Sequence, residues 1–186
     1  MTIIAAITDG KAAHVASDSQ ETDEYGGTKR LDCKKIFHVK NDWVWGACGD
    51  CVIENILNSP DMDNMWVNAD DDPYFLREWV VEAWENLGME PYRDIIGAPE
   101  PGAHVVPQDI LFAKKGKIWL VDGQGFQREI KPGVFWAVGS GHVIGIGAAH
   151  ALMAAGIAGR PIVEAAVSAA IARDIYCGGD IQYVCV

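Results

Sequence analysis

The apolar positions of the chain follow two regimes. Ahead of residue 50 they come in short dense blocks: TIIAAIT at 2–8, AAHVASDS at 12–19, KKIFHVK at 34–40 and WVWGAC at 43–48. Blocks of β-branched and aromatic residues bounded by turn formers predict strands. Asp-Gly-Lys at 9–11 separates the first two, and glycine there admits the positive φ of a tight hairpin. Asn-Asp at 41–42 separates the next two and predicts a second hairpin. From residue 50 the spacing becomes helical. DCVIENILNS at 50–59 sets Val52, Ile53, Ile56 and Leu57 on one stripe, and PYFLREWVVEAWENLG at 73–88 repeats the pattern between an early proline and a closing glycine.

The second half repeats the order. DILFAKKGKIWLVDGQGFQREI at 109–130 predicts two or three strands, with turns at Lys115-Gly116 and Asp122-Gly123, and VFWAV at 134–138 predicts another. SGHVIGIGAAHALMAAG at 140–156 and RPIVEAAVSAAIARDIYCGG at 160–179 predict two helices, the latter opened by Pro161 and closed by glycines. IQYVCV at 181–186 predicts a closing strand. Strands and helices come in runs, without βαβ alternation or a solenoid repeat, so the expected class is α+β: antiparallel sheets facing each other with helices outside. The stretches 59–73, acidic, and 89–107, proline-rich, read as surface excursions.

Length and charge narrow the function. At 186 residues, 49% of them apolar, the chain is large enough for one domain with a substantial core and too short for two large ones. A net charge of −11 disfavours nucleic acid or an anionic membrane as partner, since both reward clustered Lys and Arg. No basic segment followed by a long apolar run opens the sequence, so no signal peptide is expected, and the apolar stretch 134–159 is cut by glycines and histidines and reads as a buried helix. Five cysteines, an odd number, suit a reducing compartment, and the expected location is cytoplasmic.

Candidate chemistry begins at Thr2. Methionine is commonly trimmed ahead of a small residue, which would leave Thr2 with a hydroxyl and a free α-amine, a nucleophile and a base in one residue. An α-amine ordinarily titrates at about 7.7–8.0, close enough to neutral to accept the hydroxyl proton. Retention of Met1 would leave an amide there and remove the base. Cys-Gly-Asp-Cys at 48–51 is a candidate redox pair, but it lacks the βαβ context of such motifs. His14, His38, His104, His142 and His150 show no zinc spacing. Trp66, Trp79 and Trp84 fit internal packing and a subunit interface equally well.

Taken in order, the blocks resemble those of the proteasome β-subunits and the bacterial HslV peptidase, which are N-terminal threonine hydrolases. The likeness rests on the strand after Thr2, ASDS, KKIF, WGACGD, GSG ahead of a helix and RDIYCGG after the next, and covers roughly 2–57 and 107–186. Residues 58–106 diverge. The resemblance implies a four-layer αββα Ntn-hydrolase fold over the single domain 1–186, with Thr2 as nucleophile, Lys35 beside its hydroxyl and Asp18 pairing with Lys35. It implies that Gly46 supplies the oxyanion N–H, and that Ser140 and Asp174 hold the threonine amine. Cys177 stands where relatives carry serine, a stronger donor than a thiol. Val44 and Cys48 match a specificity-pocket floor, with Glu21, Thr22 and Cys33 on its walls, and the small floor residues point to an apolar substrate side chain. The resemblance further implies polypeptide substrates, stacked homo-oligomeric rings, a ring ATPase as partner, and neither metal nor organic cofactor. Two other readings stay open: a non-catalytic assembly protein with Met1 retained, and an amidase acting on a small molecule.

Overall fold

A computed structural model describes residues 2–22, 29–49, 52–60, 62, 66–67, 109–122 and 127–186. The expected helix at 73–88, with Trp79 and Trp84, the excursion at 89–107, the Asp122-Gly123 turn, Cys51 and Met1 lie outside the described residues.

The first hairpin pairs β1 (Ile4–Thr8) with β2 (Ala13–Ser17), Ile4 opposite Ser17 and Thr8 opposite Ala13. Asp9 closes its turn by accepting the Lys11 and Ala12 N–H groups, each at 2.8 Å, and Gly10 takes φ +87°. Those two donors hold the Asp9 carboxyl below its usual range. The first strand starts at Ile4 and not at Thr2. The reason is that the groups ahead of it bond elsewhere: the Ile3 N–H donates to Asp18 Oδ1 at 3.1 Å, and the Thr2 carbonyl accepts the Gly141 N–H at 3.4 Å.

A short ladder joins β3 (Glu21–Thr22) to β4 (Lys29–Arg30). The second expected hairpin is β5 (Ile36–His38) with β6 (Val44–Cys48), but its connection is longer than Asn-Asp alone. A 3₁₀ turn at Lys40–Asp42 fills it, with Asn41 and Asp42 at φ +59° and +57°. Helix α1 (Val52–Leu57) follows. Strands β7 (Asp109–Lys114), β8 (Lys117–Val121) and β9 (Gln127–Ile130) extend the sheet, and β10 (Phe135–Val138) returns to β1. Helices α2 (His142–Ala154) and α3 (Arg160–Arg173) precede β11 (Gln182–Cys185). The last helix stops at Arg173, short of the glycines expected to end it, because the chain turns extended at Asp174.

The strands form a four-stranded sheet ordered β10-β1-β2-β11 and a five-stranded sheet ordered β5-β6-β7-β8-β9, antiparallel throughout. Both faces of each are covered, which explains why TIIAAIT is continuously apolar instead of alternating. Ile4, Ala6 and Val15 meet Ile36, Val44, Leu111 and Leu120 between the sheets. Ile3, Ala5 and Ile7 face the other way and pack with Ile162, Val163, Ala166 and Ala170 of α3. On the far side of the five-stranded sheet, Trp43, Trp45, Phe112 and Trp119 meet Ile53 and Leu57 of α1, Met62 and Trp66. Trp66 thus serves packing: its ring centroid lies 6.2 Å from that of Trp43, and its Nε1–H donates to the Leu57 carbonyl at 3.2 Å. No helix among the described residues is long and apolar enough to cross a membrane.

Candidate active site

The site lies where β1 begins, β2 ends and the segment before β5 passes between them. Thr2, Asp18 and Lys35 meet there, all buried, with Asp18 at 0% exposure. The Thr2 hydroxyl donates to Asp18 Oδ1, and Lys35 Nζ donates to Thr2 Oγ1 at 2.6 Å and reaches Asp18 Oδ1 at 3.2 Å. A buried ion pair survives only if its remaining lone pairs and protons are satisfied. Here they are. Asp18 also accepts the Ile3 N–H, the Gln20 N–H at 3.3 Å and the Gly178 N–H at 3.0 Å, while Lys35 donates to the Gln20 carbonyl. The result is a lysine amine fixed against a threonine hydroxyl in a buried site, where charge acts far more strongly than in water.

Gly46 lies on β6 opposite Ile36, the residue after Lys35. A Cβ there would come within 2.8 Å of the Lys35 carbonyl and 3.0 Å of Ile4 Cδ1. Glycine is therefore required by the protein's own backbone, which crosses closely at that point.

A second group of residues surrounds the Thr2 carbonyl. Gly139, at φ +93°, turns the chain against it, and a Cβ on Gly139 would collide with that oxygen. The Ser140 hydroxyl donates to the Thr2 carbonyl at 3.4 Å and lies 4.0 Å from Cys177 Sγ. The Cys177 thiol donates to Asp174 Oδ2 at 3.5 Å, and the Tyr176 N–H donates to Asp174 Oδ1 at 3.0 Å. Burial, followed by the nearby carboxylates of Asp18 and Asp174, pushes the Cys177 thiol up to about 12. It is a neutral donor at physiological pH. Burial works to raise the Asp174 pKa, but donation from the Tyr176 N–H and the nearby Ser140 hydroxyl and Cys177 thiol wins and holds its carboxyl below the usual range.

No protein-family model matches this sequence, and no curated protein sequence matches it. Solved structures do. BPH from Thiobacillus denitrificans in complex with epoxomicin superposes at TM-score 0.69 over 99% of this chain and 97% of that one, with 19% identity. A second structure of Thiobacillus denitrificans BPH gives 0.67 at 22% identity, covering 100% and 97%. Eukaryotic HslV from Trypanosoma brucei gives 0.67 at 16% identity, covering 98% of both chains. The chain has the fold of these BPH and HslV structures. Identities this low establish the architecture, and the chemistry of the site has to be argued from its own residues.

The expected pocket residues lie on β6 and on the β3–β4 side. Val44 is buried between the sheets with Ile4 and Ile36, and Cys48 is half-buried at the margin of the same core. The Cys48 thiol is pushed up to about 11 by burial, with Asp109 next in effect. That is opposite to the lowered pKa of a redox-active C-x-x-C. On the β3–β4 side, Cys33 Sγ donates to Glu21 Oε2 at 3.1 Å, Arg30 pairs with Glu21 at 3.8 Å, and Thr22 Oγ1 accepts from Gln20 Nε2 at 3.0 Å.

Two contributors escape sequence reasoning. Gln20 is buried and joins both halves of the site, its carbonyl on Lys35 and its side chain donating to the Ile175 carbonyl at 3.0 Å. Glu54, half-buried on α1, has its carboxyl raised by burial and then by Glu21, with Lys35 partly opposing. The i+2 step from Asp18 to Gln20 is the only signal for the first, and nothing local marks the second. Among the described residues, no group of three or more His, Cys, Asp or Glu side chains stands close enough to hold a metal ion.

Proposed function

We propose that this chain is a threonine-type peptidase subunit whose nucleophile is the Thr2 hydroxyl, active once Met1 is removed. The contact of Lys35 Nζ with Thr2 Oγ1 at 2.6 Å, backed by buried Asp18, carries the reading. A positive charge beside a hydroxyl favours the alkoxide that attack requires. In the proposed reaction Thr2 Oγ attacks the peptide carbonyl carbon while its proton passes to the freed Thr2 amine. The family resemblance assigns stabilisation of the oxyanion to the Gly46 N–H, although β6 pairs with strands on both sides at Gly46, opposite Ile36 and Leu111. Collapse breaks the C–N bond, the departing amine takes the proton from the Thr2 ammonium, and an ester remains on Oγ. Water, deprotonated by the same amine, then attacks the ester and releases the acid. Ser140, Asp174 and Cys177 are read as the groups that hold the amine and relay its proton.

The three apolar clusters, one between the sheets and one on each outer face, support a four-layer αββα sandwich built as a single domain. By analogy of fold the subunits would stack as homo-oligomeric rings around polypeptide substrates and work with a ring ATPase in the cytoplasm. A non-catalytic assembly protein is the rival, favoured by the 3% exposure of Thr2. Thr2→Ala separates them. The peptidase reading expects loss of peptide cleavage with folding and assembly intact, and a Thr2→Ala variant that cleaves peptides as well as the parent would overturn it. The epoxomicin held by BPH supplies a probe: binding is expected here, and weaker or no binding to the Thr2→Ala variant.

A further inference from the structure

Gln182 has no place in the chemistry so far, yet its side chain spans the two sheets at the site. It sits at the start of β11, the edge strand of the four-stranded sheet, directly opposite Ser17 and therefore beside Asp18. Its side-chain oxygen accepts two consecutive backbone N–H groups, from Lys35 at 2.9 Å and from Ile36 at 3.3 Å. Its side-chain nitrogen donates to the Cys33 carbonyl at 2.6 Å. The amide orientation is fixed by this set, since the oxygen meets only donors and the nitrogen an acceptor. Only Ile36 of the segment Cys33–Ile36 belongs to a strand. Cys33 N–H donates to the Ser19 carbonyl at 3.0 Å, so the loop is pinned at one end by β2's extension and along its length by Gln182.

We propose that Gln182 is a positioning residue for Lys35, acting as a strut that sets how far the lysine backbone stands from the strand carrying Asp18. This rests on the reading of Lys35 as the group that activates Thr2. The lysine side chain is a flexible four-carbon stem and cannot by itself hold its ammonium in one place. Its head is fixed by Asp18, Thr2 and the Gln20 carbonyl, and its root by Gln182 and by the close crossing at Gly46. With head and root both fixed, the ammonium stays within hydrogen-bonding reach of the hydroxyl. Releasing the root lets the peptide of Lys35 drift, and misplacement of about 1 Å at a catalytic group costs up to about 100-fold in rate.

The test pairs hydrogen exchange with kinetics on the full chain. In Gln182→Leu, which keeps the size and removes both polar atoms, the Lys35 and Ile36 amides should exchange at least about tenfold faster relative to the β1 and β2 amides. The kcat for a peptide substrate should fall up to about 100-fold with KM unchanged. Gln182→Glu retains the acceptor for both N–H groups and should recover amide protection and part of kcat. Unchanged exchange at 35 and 36, chain-wide acceleration without excess at those two amides, or a rise in KM alone would each overturn the strut. A wild-type protein that cleaves no peptide defeats the peptidase reading instead, and the exchange measurement still tests the strut by itself.

Discussion

The two sides of Thr2 are built to different tolerances. On the hydroxyl side, Asp18 and Lys35 are buried, every distance given is 3.3 Å or less, and each polar atom of the Asp18 carboxylate has a donor. On the carbonyl side, Ser140, Asp174 and Cys177 meet at 3.4–4.0 Å, Ser140 is exposed and Asp174 is half-buried. The difference follows from where the residues sit. Asp18 and Lys35 flank strands clamped between two apolar cores, whereas Ser140 precedes α2 and Asp174 follows α3, at chain ends of helices that pack on one face only. Burial makes the first side rigid and electrostatically strong. The second side is looser and more exposed.

The largest break in this comparison is on the hydroxyl side. Thr2→Ala should bring peptide cleavage to background while leaving the melting temperature close to that of the parent. Lys35→Met should also abolish cleavage, and in addition should destabilise the fold by about 3–5 kcal/mol, because Asp18 would keep a buried charge without its cation. Equal stability of the two variants by denaturant unfolding would contradict the tight ion pair. Gly46→Ala comes next: with the Lys35 carbonyl 2.8 Å from the new methyl, a loss of about 1–3 kcal/mol is expected, together with lower kcat.

Smaller effects belong to the carbonyl side. Ser140→Ala should reduce kcat about tenfold, the worth of one hydrogen bond, and a loss as large as that of Lys35→Met would erase the distinction drawn here. Cys177 links the site to pH. Its folded pKa, about 12, lies above the ordinary thiol value of 9.0, so the folded state keeps a proton that the unfolded state releases. Stability from this source is complete below pH 9 and is lost as pH rises toward 12, with Cys48 adding to the same fall. Cys177→Ser should flatten that alkaline decline in a series of unfolding curves. Smallest of all, at pH above the carboxylate range Glu54→Gln should raise the melting temperature slightly, because burial and Glu21 oppose the charged form, and should have no such benefit in acid below it.

Much of the fold is readable from local chemistry. The Asp-Gly turn, the Lys-Gly turn whose residues both take positive φ, and the dense apolar blocks each act within a few residues, so the strands of both sheets can be placed from the sequence. The β3–β4 ladder cannot, because two polar residues on each side carry no hydrophobic signal. Of the site, Thr2 is suggested by its own chemistry and Asp18, Lys35 and Gly46 only by an ordered set resembling a known family; the structure brings Thr2, Asp18 and Lys35 into contact and sets Gly46 against the Lys35 carbonyl. At Gly46 it adds a reason that no motif states: the missing side chain makes room for the Lys35 peptide. Gln20 shows only as the i+2 step from Asp18, and Glu54 and Gln182 are invisible in the sequence since their partners lie across the fold; an amide that bridges two sheets leaves no periodic trace.

The most direct measurement is the intact mass and N-terminal peptide map of the natively expressed protein, taken together with a peptide-cleavage assay. The account predicts a chain that begins at Thr2 and cleaves peptides. A chain that retains Met1 and cleaves peptides would contradict it.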